Sequence, residues 1–345
     1  ITIKHLLDHT SGFGDYVGPR FFELPDNRKN IQGLLPLIKE MPIHFIPGTE
    51  NEYSNAGYIL LGAIIEKVTG KSYAENLEER IKKPLQLSSL VTKNVKKTAR
   101  RAVGYTKNIF GEYEDNEHFV FEPKSDGGCY ATAEDMMIFY RAFLYGNKLF
   151  SDKVKHQDPF FKQIQPIYKQ HGAGIPFAGG FNGANTVHLE RLADNISIVV
   201  FANMDEPVAE NIALGIHKII NGQEPPKPQL PTLLSVYQAY VKNGIEYIRT
   251  NFKSLTSNWF DNDPKDLILN NLGYELLHNG RLEDALKIFR LNTEMFPNVA
   301  NCWDSYGEAL FKSGRNTEAL KAYKRALKLN PNIPSAKKMV KELGN

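Results

Sequence analysis

The chain has 345 residues, enough for about two domains of ordinary size with substantial cores. Basic and acidic side chains nearly balance, leaving a net charge of +3, too little to indicate a nucleic-acid partner. The longest apolar runs, 59–65 and 196–202, fall far short of the roughly 18 to 20 residues that a bilayer span needs. Two cysteines imply no disulfide framework.

The chain opens with the segment Ile3-Lys4-His5-Leu6-Leu7-Asp8-His9-Thr10-Ser11-Gly12. Two histidines one helical turn apart with a carboxylate between them are similar to inverted zinc-peptidase motifs. Those motifs have glutamate at this place, and no third ligand stands out downstream. We interpret both histidines as packing or capping residues and predict no metal site.

A helix is predicted over Gly57 to Thr69, where Tyr58, Leu61, Ile65 and Val68 share one face and Gly70 provides a C-cap. Tyr53-Ser54-Asn55 stands just before it. Taken alone, this tripeptide is typical of a helix entry with Asn55 as the N-cap.

Further signals follow in the first 222 residues. The basic residues of 93–101 predict a solvated loop. Residues 127–132 lead into a predicted helix, 133–144. Residues 187–192 and 196–202, joined by a turn at Asp194-Asn195, predict an antiparallel hairpin. A last helix, 208–220, is predicted before the chain divides.

The clearest boundary is the proline-rich segment 223–231, which disfavours helix and is typical of an extended linker. We therefore predict one domain over 1–222, the linker over 223–231, and a second domain over 232–345. Nearly every segment of the second domain has a helical pattern.

The second domain repeats itself with a period of 34 residues. Leu272-Gly273, Gly280, Ala285, Phe289 and Pro297 recur as Tyr306-Gly307, Gly314, Ala319, Tyr323 and Pro331. This spacing resembles the tetratricopeptide repeat, with Trp303 at its first aromatic position. Such repeats need roughly three units to bury a core, so we predict a degenerate helical pair over 233–255 and a capping helix over 335–343. The resemblance implies a protein or peptide partner, or else packing against the first domain or dimerisation.

The first domain carries several segments in the order of a known family. These are Leu6-Leu7-Asp8-His9-Thr10-Ser11-Gly12, Pro47-Gly48, Tyr53-Ser54-Asn55, the stretch 127–135 and the closing hairpin. Together they resemble the serine β-lactamase and penicillin-binding-protein family, most closely its class C, esterase and D-aminopeptidase branch. The resemblance implies an α/β fold with an antiparallel sheet and a helical subdomain. The family's Ser-x-x-Lys lies upstream of all these segments, so we expect the leading strands and the nucleophile helix to be missing.

The resemblance also implies roles for particular residues. Tyr53 would shuttle the nucleophile's proton, and the Asn55 amide would contact substrate and orient the lysine. The family's third motif, Lys-Thr-Gly or His-x-Gly, falls at Phe177-Ala178-Gly179, and the amide of Gly180 would help to form an oxyanion hole. A rival position for that motif is His171-Gly172-Ala173-Gly174.

Phenylalanine cannot supply the cation that this motif normally places beside the tyrosine. Without it, and without the upstream lysine, we expect Tyr53 to be a neutral phenol, because a free phenol has a pKa of about 10. A literal Ser-x-x-Lys occurs at Ser335-Ala336-Lys337-Lys338 in the last repeat helix, where we attribute it to chance. Ser11 and Ser54 lack lysine partners and are predicted to be cap and turn residues.

The expected function of the full-length product is a serine hydrolase that acts through an acyl-enzyme, without metal or organic cofactor. Its substrate would be a β-lactam, a D-amino-acid peptide or a simple ester. The family resemblance implies export to the periplasm or cell envelope. This chain alone is expected to be inactive, and to have marginal stability because its sheet would have unpaired edges. The alternative is a catalytically inactive hydrolase fold that acts as a binding or scaffolding module through its repeats.

Overall fold

The computed structural model describes residues 1–171, 174–257 and 264–344. It divides into two compact units. The first comprises Ile1–Thr106 and Asp115–Pro226, and the second comprises Lys107–Glu114 and Lys227–Asn345. The chain changes unit at three points, after Thr106, after Glu114 and after Pro226. Among the described residues, no helix is both long enough and apolar enough to cross a bilayer.

The first unit contains ten described helices. They are α1 Ile3–Leu7, α2 Pro19–Phe22, α3 Ile31–Lys39, α4 Asn55–Thr69, α5 Tyr73–Leu77, α6 Lys83–Leu85, α7 Ala133–Leu144, α8 Asp152–Gln157, α9 Gln165–His171 and α10 Val208–Ile220. A π-helical turn, Glu78–Lys82, joins α5 to α6. The predicted helices before Gly70, after Thr132 and after Pro207 are thereby confirmed.

The entry to α4 differs in one respect from the sequence interpretation. Ser54, and not Asn55, is the N-cap, because its side chain accepts a hydrogen bond from the backbone N–H of Gly57 while Asn55 is already helical. The predicted end of the helix is confirmed. Gly70 has a φ of 68°, a left-handed conformation that costs glycine little, and it closes the last turn.

Strands β1 Tyr105–Lys107 and β2 Tyr113–Asp115 form a small two-stranded sheet. The main described sheet has the order β3-β4-β5 and is antiparallel, with β3 Gly174–Phe181, β4 Ala184–Arg191 and β5 Ile196–Ala202. The predicted closing hairpin, β4 and β5, is confirmed. Strand β3 continues through Phe181 and pairs with β4 across the short turn at Asn182-Gly183.

Each face of the main sheet is covered by a helix. On one face, Val187, Ile198 and Val200 pack with Ala209 and Ala213 of α10. On the other, α7 lies against β4 and β5, where the Arg141 guanidinium donates to the Ser197 hydroxyl at 3.0 Å. Alternation of side chains along a strand therefore assigns each residue of β4 to one of two buried surfaces.

The second unit is helical and follows the predicted repeat. Its helices are α11 Thr232–Asn243, α12 Ile245–Leu255, α13 Asp266–His278, α14 Leu282–Met295, α15 Ala300–Lys312, α16 Asn316–Leu329 and α17 Pro334–Leu343. The degenerate pair (α11 and α12) and the capping helix (α17) are confirmed. Ile109 and Phe110 also belong to this core, where the Phe110 ring lies 5.3 Å from that of Tyr237.

Candidate active site at the mouth of α4

Ser54 fixes the start of α4 through three hydrogen bonds. Its hydroxyl accepts from the Gly57 N–H at 2.9 Å and donates to the carbonyl of Gly14 at 3.0 Å. Its own N–H donates to Nδ1 of His9 at 3.1 Å. Burial lowers the pKa of His9, against an opposing effect of Asp8, so the ring stays neutral and can accept this bond. His9 is therefore a positioning residue for the peptide that carries Tyr53.

Tyr53 and Asn55 are brought together by this helix entry. The Tyr53 hydroxyl donates to Oδ1 of Asn55 at 3.2 Å, and Nδ2 of Asn55 donates to the Asp15 carboxylate at 2.7 Å. The Tyr53 ring lies 4.6 Å from the His9 ring, which also stacks on Tyr58 at 5.1 Å. Tyr53 remains 65% exposed, so its hydroxyl is held in place yet open to a ligand.

The electrostatic surroundings of Tyr53 are negative. Burial raises the pKa of its phenol above the ordinary 10, and the charges of Asp15, Asp126 and Glu206 raise it further. An anionic neighbour disfavours a second negative charge, which is the opposite of what a tyrosine base needs. These surroundings favour the neutral form of Tyr53, and its protonation state stays a prediction.

A cavity of about 350 Å³ opens beside Tyr53. Its lining residues are His9, Tyr53, Tyr58, Tyr73, Leu77, Lys124, Ser125, Asp126, Gly127 and Cys129. Among these ten residues the one lysine is Lys124, whose ammonium lies 3.9 Å from Oδ1 of Asp126. Burial is the main reason that the pKa of Asp126 is raised. Lys124 thus faces a carboxylate, and the phenol of Tyr53 keeps a raised pKa despite this cation.

Strand β3 places the residues predicted for the third motif in two different environments. The Phe177 ring lies 4.5 Å from Tyr140 and 6.3 Å from Phe143 of α7. It therefore belongs to an aromatic cluster under α7. Ala178 and Gly179 pair with Val187 and Thr186 of β4, so they form the strand between this cluster and Gly180.

Gly180 has an acidic neighbour that the sequence interpretation missed. A Cβ at Gly180 would lie 1.6 Å from Oε1 of Glu206, so the carboxylate occupies the space beside this glycine. Burial raises the pKa of Glu206, and the nearby charges of Glu210 and Asp205 raise it further. The sequence signal was the acidic pair Asp205-Glu206 in the short loop between β5 and α10. Glu206 affects both parts of the predicted site. It contacts Gly180 of β3, and its charge raises the pKa of Tyr53 at the mouth of α4.

Other candidates are placed as follows. The rival motif is described only in part, because Gly172, Ala173 and the side chain of His171 lie outside the described residues. Asp8 forms an ion pair with Lys4, and the described residues contain no group of three His, Cys, Asp or Glu able to hold a metal ion. The Ser335 hydroxyl donates to the Asp304 carboxylate at 2.7 Å, within the repeats.

The family model described as β-lactamase matches residues 1–218, well over half of the 345 residues. The chain belongs to the β-lactamase family. Its helical second unit contains a tetratricopeptide repeat, whose model matches residues 300–333. Both resemblances seen in the sequence are confirmed, together with the mixed helical and antiparallel-sheet fold.

Relatives of this β-lactamase-family chain include penicillin-binding protein 4* of Bacillus subtilis strain 168. It is 26% identical over 263 residues, which cover 67% of this chain and 58% of that protein. A penicillin-binding protein structure from Bacillus halodurans has a TM-score of 0.51 at 27% identity, covering 60% of this chain and 70% of the other. The octameric penicillin-binding protein homologue from Pyrococcus abyssi has a TM-score of 0.53 at 20% identity, with coverage of 70% and 60%, and shows the fold alone.

The chain thus spans a little under three fifths of the length of the Bacillus subtilis relative. Within the β-lactamase family assignment, the individual roles of Tyr53, Asn55 and the 177–180 strand remain predictions.

Proposed function

We propose that this chain forms the larger part of the acyl-transfer domain of a serine hydrolase, whose nucleophile and lysine are supplied by a longer protein. The observation that carries the proposal is the Tyr53–Asn55–Asp15 chain of hydrogen bonds at the mouth of α4. The Tyr53 hydroxyl and the Asn55 amide are fixed side by side next to a cavity. The family resemblance gives these two positions to a proton shuttle and a substrate contact.

The reaction follows from what each group can do. A serine hydroxyl would attack the substrate carbonyl while its proton passes to the oxygen of Tyr53 and then to the leaving amine or alcohol. Water would then hydrolyse the acyl-enzyme. The N–H of Gly180 would donate to the developing oxyanion. The substrate would be a small ester, amide or peptide.

Tyr53 can accept that proton only where a cation offsets its acidic neighbours. An ammonium within about 4 to 6 Å would lower the pKa of the phenol, whereas Asp15, Asp126 and Glu206 raise it. In the 345 residues the Ser-x-x-Lys pattern occurs at Ser335 to Lys338, in the repeat unit. We therefore infer that the chain by itself does not form an acyl-enzyme.

Labelling with a fluorophosphonate and with a fluorescent penicillin tests this proposal. The 345-residue chain should remain unlabelled, and the longer natural protein should be labelled with one probe per molecule. In that longer protein, Tyr53→Phe should slow labelling by about 10²- to 10⁴-fold, while Tyr113→Phe, on the exposed strand β2, should not. Stoichiometric labelling of the short chain would contradict the proposal.

The second candidate is a catalytically inactive hydrolase fold that serves as a binding or scaffolding module. Two observations favour it: three carboxylates act on Tyr53, and Phe177 packs in an aromatic cluster where the motif has a cation. Absence of labelling in the folded longer protein would support this candidate over the hydrolase.

A further inference from the structure

A row of polar side chains crosses four helices of the second unit, α13, α15, α16 and α17. The Tyr274 hydroxyl on α13 donates to the Glu308 carboxylate on α15 at 3.0 Å. One turn earlier on α15, Asp304 accepts from the hydroxyl of Ser335 on α17 at 2.7 Å. We call these residues, with Tyr323 and Glu342, the acidic row.

Tyr323 of α16 forms the floor of the acidic row. It is 2% exposed, and its ring lies against Gly307, where a Cβ would be 2.9 Å from the ring. Among the residues that the structure describes, none exchanges a hydrogen bond with its hydroxyl. Burial raises the pKa of this phenol, and the charges of Asp304, Glu308 and Glu342 raise it further. These charges act on a phenol whose hydroxyl donates to no described residue.

Asp304 is a carboxylate without a cation. One oxygen accepts from Ser335, whereas Oδ1 is buried and has no hydrogen-bond partner among the described residues. Burial raises the pKa of Asp304; the Ser335 hydrogen bond opposes this, and Glu308 adds to it. The neighbouring Glu308 already has a lysine, since Lys312 lies 2.8 Å from its other oxygen. A buried carboxylate oxygen with no partner is costly and favours a ligand that can donate to it.

The preceding repeat shows that packing does not require these groups. At an offset of 34 residues, Tyr323 corresponds to Phe289 and Asp304 to Asn270. Phe289 packs on Gly273 as Tyr323 packs on Gly307. A phenyl ring thus fills the same place, and the hydroxyl and the carboxylate are specific to the second repeat.

The charge of the row is opposite to that of the unit around it. Residues 227–345 contain 17 Lys and Arg against 12 Asp and Glu, yet the ionisable groups that act on Tyr323 are Asp304, Glu308, Tyr274 and Glu342. A local negative site on a positive unit attracts a cationic group by charge complementarity.

We propose that the acidic row binds a lysine side chain of an extended protein segment. The ammonium donates to Asp304, with Glu308 and Glu342 alongside, and the Tyr323 hydroxyl donates to a backbone carbonyl of the same segment. A lysine suits this site because a compact ammonium at the end of a slim four-carbon stem can approach the buried Oδ1 of Asp304, whereas the arginine fork is wider. This inference concerns the repeat unit and does not depend on the proposed hydrolase activity.

Fluorescence anisotropy with the whole 345-residue chain tests the proposal. The probe is an acetylated and amidated nonapeptide of Gly, Ser and Ala with one central lysine and a neutral fluorophore. It should bind at least about tenfold more tightly than the same peptide with acetyl-lysine, because acetylation removes the charge. Asp304→Asn should abolish that difference, and Glu318→Gln, an exposed acid of α16, should preserve it.

Tyr323→Phe is the matched variant for the hydroxyl. Phe289 fills the equivalent place, so the variant should keep the melting temperature and still lose lysine-peptide affinity about threefold to tenfold. Equal binding of the lysine and acetyl-lysine peptides would overturn the proposal, as would full affinity in Asp304→Asn. A lysine-free peptide with a free amino terminus that binds as tightly as the lysine peptide would overturn the choice of lysine.

Discussion

Tyr53 owes its position to the two residues that follow it in the sequence. Ser54 anchors the helix entry to the Gly14 carbonyl and to His9, and Asn55 joins the phenol to Asp15. The pKa of the phenol is raised by burial first and then by nearby carboxylates. The phenol is therefore held at a fixed place beside carboxylates that disfavour its negatively charged form.

A titration of Tyr53 tests this. In protein carrying ¹³C at the tyrosine Cζ, with Tyr53→Phe used to assign the signal, Tyr53 should lose its proton above pH 10, the ordinary value for a phenol. Asp15→Asn should lower that pKa, because it removes one negative charge and keeps an acceptor for Asn55. Asp152→Asn, at the exposed start of α8, is the control and should leave it unchanged. A midpoint below pH 10 in the unmodified chain would contradict the assignment.

At the scale of elements, glycine decides how closely the repeat helices approach. Gly273 of α13 and Gly307 of α15 each face an aromatic ring from the following helix. Periodic small residues allow α13 and α14, and likewise α15 and α16, to pack as pairs around buried rings. The 34-residue period therefore encodes close contact between helices as well as their order.

Gly273→Ala should destabilise the second unit. The new Cβ would lie 2.6 Å from the Phe289 ring, and relieving this overlap should cost about 1–3 kcal/mol. Gly215→Ala in α10 is the matched control, since its nearest neighbour is 3.6 Å away and alanine favours a helix by about 1 kcal/mol. Urea denaturation followed by circular dichroism measures both, and equal effects of the two substitutions would refute the packing argument.

At the scale of the whole molecule, the two units are not consecutive in sequence. The segment Lys107–Glu114 belongs with the repeats although more than a hundred residues separate it from Lys227. Its Ile109 side chain is 3% exposed within the core of the second unit. Apolar burial, and not chain order, determines to which unit this segment belongs.

Ile109→Ala should therefore lower the stability of the second unit by about 2–4 kcal/mol, the usual cost of removing a buried branched side chain. The melting transition of the repeat helices, followed by circular dichroism, reports the change. Val68→Ala, at a position that is 80% exposed, should alter stability by less than about 0.5 kcal/mol. A second-unit transition unaffected by Ile109→Ala would show that the segment contributes no core.

Elements whose signals are local could be predicted from the sequence. Helix α4 with its Gly70 cap, the β4–β5 hairpin and the 34-residue repeat all follow from periodicity or from a single turn residue, so they were predicted closely. The N-cap at Ser54 was missed by one position, because two adjacent polar residues can both cap a helix and only the contact of Ser54 with Gly14 selects one.

Only the tertiary structure decided the character of the site. The three carboxylates that act on Tyr53 come from distant segments, at Asp15, Asp126 and Glu206, and Glu206 reaches Gly180 only because β3 and the loop after β5 meet in space. A pKa depends on distances through space and on burial, and neither is written in the spacing of a motif. The sequence therefore determined the family and the order of elements, whereas the fold placed three carboxylates near Tyr53 and left Oδ1 of Asp304 without a partner among the described residues.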